Sequence, residues 1–274
     1  MAPAAAYGPN MNQTTIGPII REWRNRRRMS QLGLALEAEI SQRHLSFVES
    51  GRAAPSREMV LKLAEHLTIP LRQRNQLLVA AGFAPNFAER RIGDPALGPA
   101  MSAVRQVLRG HEPNPAFAVD RCWNLIEANA GVAPFLAATQ DPSLLQEPIN
   151  VLRLCLHPRG LAPRIANLRE WRDHLLLRLR RQIDASSDAD LYALETELAA
   201  YPAGTPKGEP MHVDAAMVAH PLRIRMGDAE LAFISTISVF GTALDVTLSE
   251  IAIECFFPAD AETAQFLKRA QAGD

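Results

Sequence analysis

Residues 30–56 constrain the fold of this chain more than any other stretch, because they carry the signals of two short helices joined by a tight turn. Ser30 and Ser41 each stand where a helix would begin, and a serine hydroxyl there accepts a hydrogen bond from an otherwise unpaired backbone N–H. Apolar residues follow at helical spacing and would share one face of each helix. They are Leu34 and Ala35 in the first helix, and Leu45 and Val48 in the second. A helix pair this short buries too little apolar surface to be stable alone, so it needs companion helices.

The pattern predicts one companion helix before the pair and two after it. Apolar residues at i, i+3, i+4 and i+7 indicate a first helix that ends near Arg28. Ser56 is placed to cap a fourth helix, and Pro70 opens a fifth that ends at Gly82. Five helices in about seventy residues predict one small all-α domain.

Charge divides the chain into a basic head and an acidic body. Residues 1–92 hold 13 Lys and Arg against 7 Asp and Glu, a net charge of +6. The other 182 residues hold 16 against 23, a net charge of −7. Basic charge confined to one domain is typical of a polyanion partner and would steer the encounter with DNA.

A set of residues in the basic head has a specific type and spacing. They are Arg24, Ser30-Gln31, Leu34-Ala35, Ile40-Ser41, Leu45-Ser46, Val48-Glu49-Ser50-Gly51-Arg52, Pro55-Ser56 and Leu63-Ala64. With them, residues 16–85 resemble the helix-turn-helix domain of the Xre (Cro/phage-repressor-like) family of bacterial transcription regulators. The resemblance implies an all-α, five-helix, lambda-repressor-like domain that binds double-stranded DNA.

In that family the second helix of the motif lies in the major groove, with its N-terminal residues against base edges. Here these residues are Ser41, Gln42, Arg43 and, one turn on, Phe47. Glutamine pairs well with adenine, arginine with guanine, and an aromatic ring with the thymine methyl group. Gln31 stands at the start of the preceding helix, where backbone N–H groups favour a phosphate. Arg52 and Arg57 are expected to be further contacts to the DNA backbone.

The resemblance also implies an ion pair between Arg24 in the first helix and Glu49 at the end of the third. We expect this pair to be architectural and to aim the Arg24 guanidinium at the DNA backbone. The alternative interpretation is that all these polar residues only form a solvated helix face. One departure from the family is Glu39 at the turn position usually held by glycine, which predicts a non-glycine residue at positive φ.

The remaining chain predicts a linker followed by an α+β domain. Residues 83–99 are rich in proline and glycine, and a short helix is expected near 101–109. Two short β-prone segments, 116–121 and 123–127, precede a helix that would begin at Asn129. This order resembles the opening of a PAS-like sensor fold. The predicted domains are a flexible tail (1–15), the helix-turn-helix domain (16–85), a linker with a connecting helix (86–110) and a PAS-like domain (111–270).

The second half of the body is predicted to be helical first and then β. Helices are expected over 163–183 and 188–201, and the several arginines of the first are expected to form a solvated or interface face rather than a second DNA site. Segments 213–226 and 229–240, separated by Gly227-Asp228, predict a β-hairpin. Alternating apolar residues continue over 244–248 and 251–255. The apolar residues stand at even positions up to Leu248 and at odd positions from Ile251. One continuous strand would place these two sets on opposite faces, so a break is predicted between Ser249 and Glu250.

Three segments of the body carry a second resemblance. They are residues 154–171 (LCLHPRGLAPRIANLREW), Tyr201-Pro202 and Phe256-Phe257-Pro258-Ala259-Asp260. They resemble the C-terminal ligand-binding domain of MmyB-like regulators, which implies a PAS-like domain holding an elongated apolar ligand of fatty-acid type. The ligand would lie between the sheet and the helices of residues 150–168. The candidate wall residues are Trp123, Phe135, Leu152, Leu156 and Phe233.

Other kinds of chemistry find little support in the sequence. Cys122, Cys155 and Cys255 lie too far apart to suggest a disulfide framework or a zinc site. The phosphate-loop, His-Glu-x-x-His and Gly-x-Ser-x-Gly motifs are absent from the sequence, so we expect no enzyme activity, no metal and no cofactor. No apolar run is long enough to span a membrane, and the N-terminal residues lack the pattern of a signal peptide.

The sequence therefore predicts a cytoplasmic, bacterial, sequence-specific DNA-binding transcription regulator that is controlled by a small apolar ligand. Because one helix-turn-helix reads only a few base pairs, we expect a homodimer on a two-fold operator. The nearest alternative is a regulator whose body is only a dimerisation or protein-docking module. A nucleic-acid-modifying enzyme is a more distant alternative.

Overall fold

The computed structural model describes residues 15–203 and 221–272. The chain forms two compact units, Met1–Ala88 and Glu89–Asp274. The predicted N-terminal tail falls almost wholly on residues 1–14, which lie outside the described residues. Residues 213–220, predicted as the first part of a hairpin strand, also lie outside them. The limits of the four predicted domains stay a prediction.

The first unit contains the five predicted helices. They are α1 (Ile16–Arg26), α2 (Gln31–Glu37), α3 (Gln42–Glu49), α4 (Arg57–His66) and α5 (Leu71–Ala80). The hydroxyls of Ser30, Ser41 and Ser56 each accept a hydrogen bond from the backbone N–H three residues on, as expected for N-caps. Each such cap is worth about 1 kcal/mol to a helix. The first helix ends two residues earlier than predicted, and Arg28 beyond it has φ 53°.

A single apolar core holds the five helices together. The four apolar residues of the predicted helix pair are all buried, and Ile20 and Trp23 of α1 meet them from one side. From the other side the core includes Leu63 of α4 and Leu77 of α5. The turn between α2 and α3 places Glu39 at φ 51°, so the predicted positive φ is confirmed. The helix pair therefore obtains its stability from its neighbours, as its short length requires.

The second unit is an α+β domain. Its helices are α6 (Gly98–Gly110), α7 (Ala133–Ala137), α8 (Val151–Leu156), α9 (Leu168–Ser186), α10 (Ala189–Ala200), α11 (Val246–Ser249) and α12 (Ala261–Ala272). Its strands are β1 (Ala116–Val119), β2 (Leu125–Ala128), β3 (Leu222–Met226), β4 (Ala229–Val239) and β5 (Ala252–Pro258). Single-turn helices at 95–97, 130–132, 142–145 and 162–164 join these elements.

The strands form one antiparallel sheet in the order β2-β1-β5-β4-β3. Four consecutive residues of the central strand β5 are buried, and since side chains alternate across a strand, both of its faces are covered. Ile253 and Cys255 face a small core that includes α6, while Phe256 joins the larger core that includes α8, α9 and α10. The β3–β4 hairpin turns at Gly227, whose φ of 62° suits a tight turn. The sheet thus packs one face against α8, α9 and α10 and the other against α6.

Three predicted segments differ from the structure. The helix predicted over 163–183 begins at Leu168, because Ile165 forms a bridge to Ile224 and the Ala166 N–H donates to the Arg223 carbonyl. The apolar alternation over 244–248 belongs to the single turn α11 and not to a strand, since Asp245 caps it through the Leu248 N–H. The break predicted after it is confirmed. The strand predicted from residue 123 starts at Leu125, because Trp123 lies in a turn with φ 68°.

In the part of the chain that the structure describes, no helix combines the length and the apolar character needed to cross a membrane.

Candidate DNA interface and ligand cavity

The exposed start of α3 presents the residues predicted to read bases. Ser41 caps the helix by accepting a hydrogen bond from the His44 N–H at 3.1 Å. Gln42 and Arg43 in the first turn are exposed, and Phe47 one turn on is half-buried. The Arg43 guanidinium carbon lies 5.4 Å from the centre of the Phe47 ring. Ser41, Gln42 and Arg43 therefore lie at the start of α3, with Phe47 one turn further along it, and base readout uses the N-terminal part of such a helix.

A buried carboxylate fixes α3 against the two preceding helices. Glu49 is 2% exposed and accepts two hydrogen bonds from Arg24, at 2.7 Å from Nε and 3.0 Å from Nη2. Gln31 at the start of α2 donates to the same carboxylate at 2.8 Å. Arg21 adds a contact of 3.5 Å to the carboxylate and a hydrogen bond to the Glu49 carbonyl. We call this group, Glu49 with Arg21, Arg24 and Gln31, the Glu49 cluster.

The cluster keeps its charges. Burial works against ionisation of Glu49, but the hydrogen bonds from Arg24 and Gln31 and the charges of Arg24 and Arg21 outweigh it, so the pKa of Glu49 is lowered. The hydrogen bond to Glu49 raises the pKa of Arg24, although burial opposes this. Both partners are therefore ionised at neutral pH, and the helices are joined by a charge-assisted bidentate pair.

The structure gives the predicted backbone-contact residues different surroundings. Arg24 also donates to the Met29 carbonyl at 2.8 Å, so all three guanidinium nitrogens have acceptors within the unit. Arg52 is exposed just after Gly51, and Arg57 in the first turn of α4 is exposed and donates to the Asn86 side chain. Arg21, with a side chain 51% exposed, was missed by the sequence analysis. Its position one helical turn before Arg24 is a signal that could have found it.

The second unit contains a cavity of about 100 Å³ between the sheet and helices α8 and α9, which we call the main cavity because it holds predicted wall residues. Trp123, Phe135, Leu152 and Phe233, four of the five predicted wall residues, line it. The fifth, Leu156, is 1% exposed within the adjoining core and is not among the residues that line this cavity. It is the last residue of α8, and the chain leaves the helix in an extended conformation immediately after it.

The wall of this cavity is almost entirely apolar. Phe233 packs edge-on against Phe135 and Phe256, with ring centres 6.0 Å and 6.2 Å apart. The Trp171 indole N–H donates to the Cys155 sulfur at 3.3 Å, and burial raises the pKa of Cys155 to about 12. The thiol is therefore protonated at physiological pH and is a poor nucleophile. A space with such walls suits an apolar molecule.

One charged side chain, missed by the sequence analysis, reaches the cavity. Glu254 of β5 is 3% exposed and is held by Arg178 of α9 through two hydrogen bonds of 3.0 Å and 3.2 Å. The Arg178 guanidinium carbon also lies 4.2 Å from the centre of a Trp123 ring. The sequence held a signal for this pair, because Glu254 stands inside the otherwise apolar stretch 251–257 and a buried carboxylate needs a partner.

Phe135 separates this space from a second cavity. The second cavity has a volume of about 230 Å³ and lies beside α12 and the β3–β4 turn, with Met226 and Phe266 in its wall. Phe135 lines both cavities. The two volumes added together fall in the range of about 300–1,000 Å³ that is usual for ligand sites.

Comparison with known proteins gives one family match in each of the two units. The sequence model of the MmyB-like transcription regulator ligand binding domain matches residues 100–270, and a helix-turn-helix model matches residues 20–73. No curated protein matches the chain. One similar solved structure is described as the crystal structure of the clp gene regulator ClgR from Corynebacterium glutamicum, with 22% identity. That match covers 39% of this chain and 99% of the other, with a TM-score of 0.23.

The first family match covers more than half of the chain, and the two matches together follow the order of the two compact units. The chain belongs to the Xre-like helix-turn-helix transcription regulators that carry an MmyB-like ligand-binding domain.

Proposed function

We propose that this DNA-binding transcription regulator reads a specific operator through α3 and is controlled by a largely apolar ligand in its second unit. The observation that carries the first part is the exposed start of α3, with Gln42 and Arg43 free to reach base edges while the Glu49 cluster fixes the helix behind them. A rigid helix with polar residues at its exposed end suits major-groove recognition.

Two classes of DNA contact follow from the positions of the side chains. Ser41, Gln42, Arg43 and Phe47 form the base-reading set, in which Arg43 pairs with a guanine. The backbone-contact set consists of Gln31, Arg24, Arg52 and Arg57. The exposure of Arg52 supports its place in this set, whereas Arg24 acts mainly through Glu49. Base contacts set sequence preference, and phosphate contacts set affinity for DNA of any sequence.

Two variants separate these classes. Arg43→Ala is expected to cost about 1–3 kcal/mol on the operator and to relax the preference at one base pair. Arg52→Ala is expected to weaken binding to all sequences alike. It should also reduce the slope of log affinity against log salt concentration by about one, because one counterion fewer is released. Fluorescence anisotropy on the operator, its single-base variants and random DNA at several salt concentrations measures both effects. Arg169→Ala, an exposed arginine of the second unit, is the control and should change neither quantity.

The proposed role of α3 fails if Arg43→Ala lowers the affinity for operator and random DNA equally, as Arg52→Ala is expected to do. That result would mean that the domain binds DNA only through its charge.

For the second unit we propose a PAS-like sensor domain that holds an apolar ligand, of the fatty-acid-like class implied by the family resemblance. The apolar wall of the main cavity supports this proposal. A long chain exceeds the main cavity, and Phe135 provides a route to the second one. Such a ligand changes DNA affinity only to the extent that it binds two arrangements of the protein with different affinities.

Native mass spectrometry of the purified full chain tests the ligand proposal. A small apolar molecule that stays bound under gentle conditions and leaves on unfolding would support it. If the protein carries none, and short apolar probes such as benzene do not bind either, the second unit is better explained as a dimerisation or protein-docking module.

A further inference from the structure

Glu254 gives the main cavity one chemical preference that the apolar wall alone would not have. Among the described residues that line the cavity, it is the sole charged side chain, and that side chain is 4% exposed. A ligand in the cavity therefore meets apolar surface everywhere except at this carboxylate. The polar end of any ligand that enters must be compatible with it.

Arg178 lies behind Glu254 and not in the cavity wall. Its two terminal nitrogens each donate to one oxygen of the carboxylate, and its guanidinium stacks on Trp123. The pair is therefore electrically balanced before any ligand enters. A carboxylate has about four acceptor positions, and Arg178 occupies two of them. Glu254 retains the capacity to accept a hydrogen bond from a ligand.

We propose that Glu254 selects a ligand whose polar end is a neutral hydrogen-bond donor, such as a hydroxyl or an amide N–H, over one that ends in a carboxylate. This inference rests on the proposed function of the cavity as a ligand site. A ligand carboxylate would place a second negative charge beside Glu254 in a nearly dry site, where like charges repel strongly. A cationic end gains little, because Arg178 already neutralises Glu254.

The proposal therefore narrows the ligand class. It keeps the apolar chain of the fatty-acid-like class that the family resemblance implies but replaces the acid end: an alcohol or amide fits this cavity better than the corresponding free acid. A hydrogen bond to a charged acceptor is stronger than one between neutral groups, so the donor at the ligand end also contributes to affinity.

The test compares 1-hexanol with hexanoate on the full chain by isothermal titration calorimetry at pH 7. The probes have only six carbons because a longer chain would exceed a cavity of about 100 Å³. We expect 1-hexanol to bind at least ten times more tightly than hexanoate. In Glu254→Gln the ratio should shift at least tenfold toward the acid, because Arg178 then lacks its counter-charge.

A double variant and a matched control accompany this test. Glu254→Gln combined with Arg178→Met removes both charges. This double variant keeps the test available if the single variant does not fold. Its ratio of 1-hexanol to hexanoate affinity should lie between those of wild type and Glu254→Gln. Glu197→Gln is the control, because Arg153 also holds Glu197 through two nitrogens, yet Glu197 does not line the cavity. The control should keep the wild-type ratio.

Equal binding of the two probes to wild type, or tighter binding of hexanoate, overturns the inference while leaving the cavity as a ligand site. The same conclusion follows if Glu197→Gln shifts the ratio as far as Glu254→Gln does. Failure of benzene, 1-hexanol and hexanoate alike to bind would instead refute the proposed ligand function, and the inference would fall with it.

Discussion

Glu49 joins three helices of the first unit through one carboxylate. Arg24 and Arg21 come from α1, Gln31 from α2, and Glu49 itself ends α3. Removing one partner of a buried ion pair leaves the other without compensation, which costs more than the pair contributes in net terms. We therefore expect the stability of the first unit to be sensitive to substitution of Glu49.

We predict that Glu49→Gln lowers the free energy of unfolding of the first unit by about 3 kcal/mol at neutral pH. The folded pKa of Glu49 is lowered, so its contribution is complete above the unfolded value of about 4.3 and is lost as the pH falls through the lower folded value. The difference between wild type and variant should thus be constant above about pH 5 and shrink below it. Urea titrations from pH 3 to 7, followed by hydrogen exchange of the α1 and α3 amides, measure it.

Glu37→Gln, an exposed carboxylate on α2, is the control and should change stability little at any of these pH values. A loss in Glu49→Gln that stays equally large at pH 3 would contradict the prediction, since the ionised carboxylate would then not be its source.

At the scale of elements, the first turn of α1 crosses the C-terminal end of α3 at close range. A Cβ atom on Gly17 would lie 2.5 Å from the Val48 carbonyl oxygen and 2.7 Å from that of Glu49. Both neighbours are backbone atoms, which cannot move aside as a flexible side chain does. The approach of the two helices thus depends on the absence of a side chain at this position.

We predict that Gly17→Ala destabilises the first unit by about 1–3 kcal/mol, because α1 must shift away from α3. The matched control is Gly98→Ala at the start of α6, where nothing lies within 4 Å of the added Cβ. The control variant should unfold at the wild-type temperature or slightly above it, since alanine favours a helix more than glycine does. Thermal unfolding of both variants provides the comparison, and an unchanged Tm in Gly17→Ala would show that the helices do not approach so closely.

The sequence predicted the elements that depend on local signals. The serine caps of α2, α3 and α4 and the positive φ of Glu39 were all predicted from residues within a few positions. The single turn α11 was misread as a strand, because three apolar residues at alternate positions are too short a pattern to separate the two structures. The start of α9 was misread because a bridge to a distant strand, and not a local signal, keeps Ile165 out of the helix.

At the scale of the whole molecule, the proposed homodimer sets how much DNA is read. One helix-turn-helix contacts only a few base pairs, and a two-fold pair doubles the sequence that is recognised. We predict a particle of twice the mass of one chain on an operator with two half-sites about one helical turn apart. Sedimentation velocity over a concentration series, with and without operator DNA, measures this. A mass of one chain in every case would refute it.

The sequence by itself determined the helices of the first unit, the type of the second unit and the residues at the exposed start of α3. Caps, apolar periodicity and turn residues act through backbone hydrogen bonds and contacts within a few positions, so they can be read along the chain. Only the tertiary structure decided which distant groups meet. Arg21 reaches the Glu49 carbonyl across 28 positions, and Arg178 reaches Glu254 across 76. Such pairs form only after packing has brought their elements together. The cavity that Glu254 lines also forms only then.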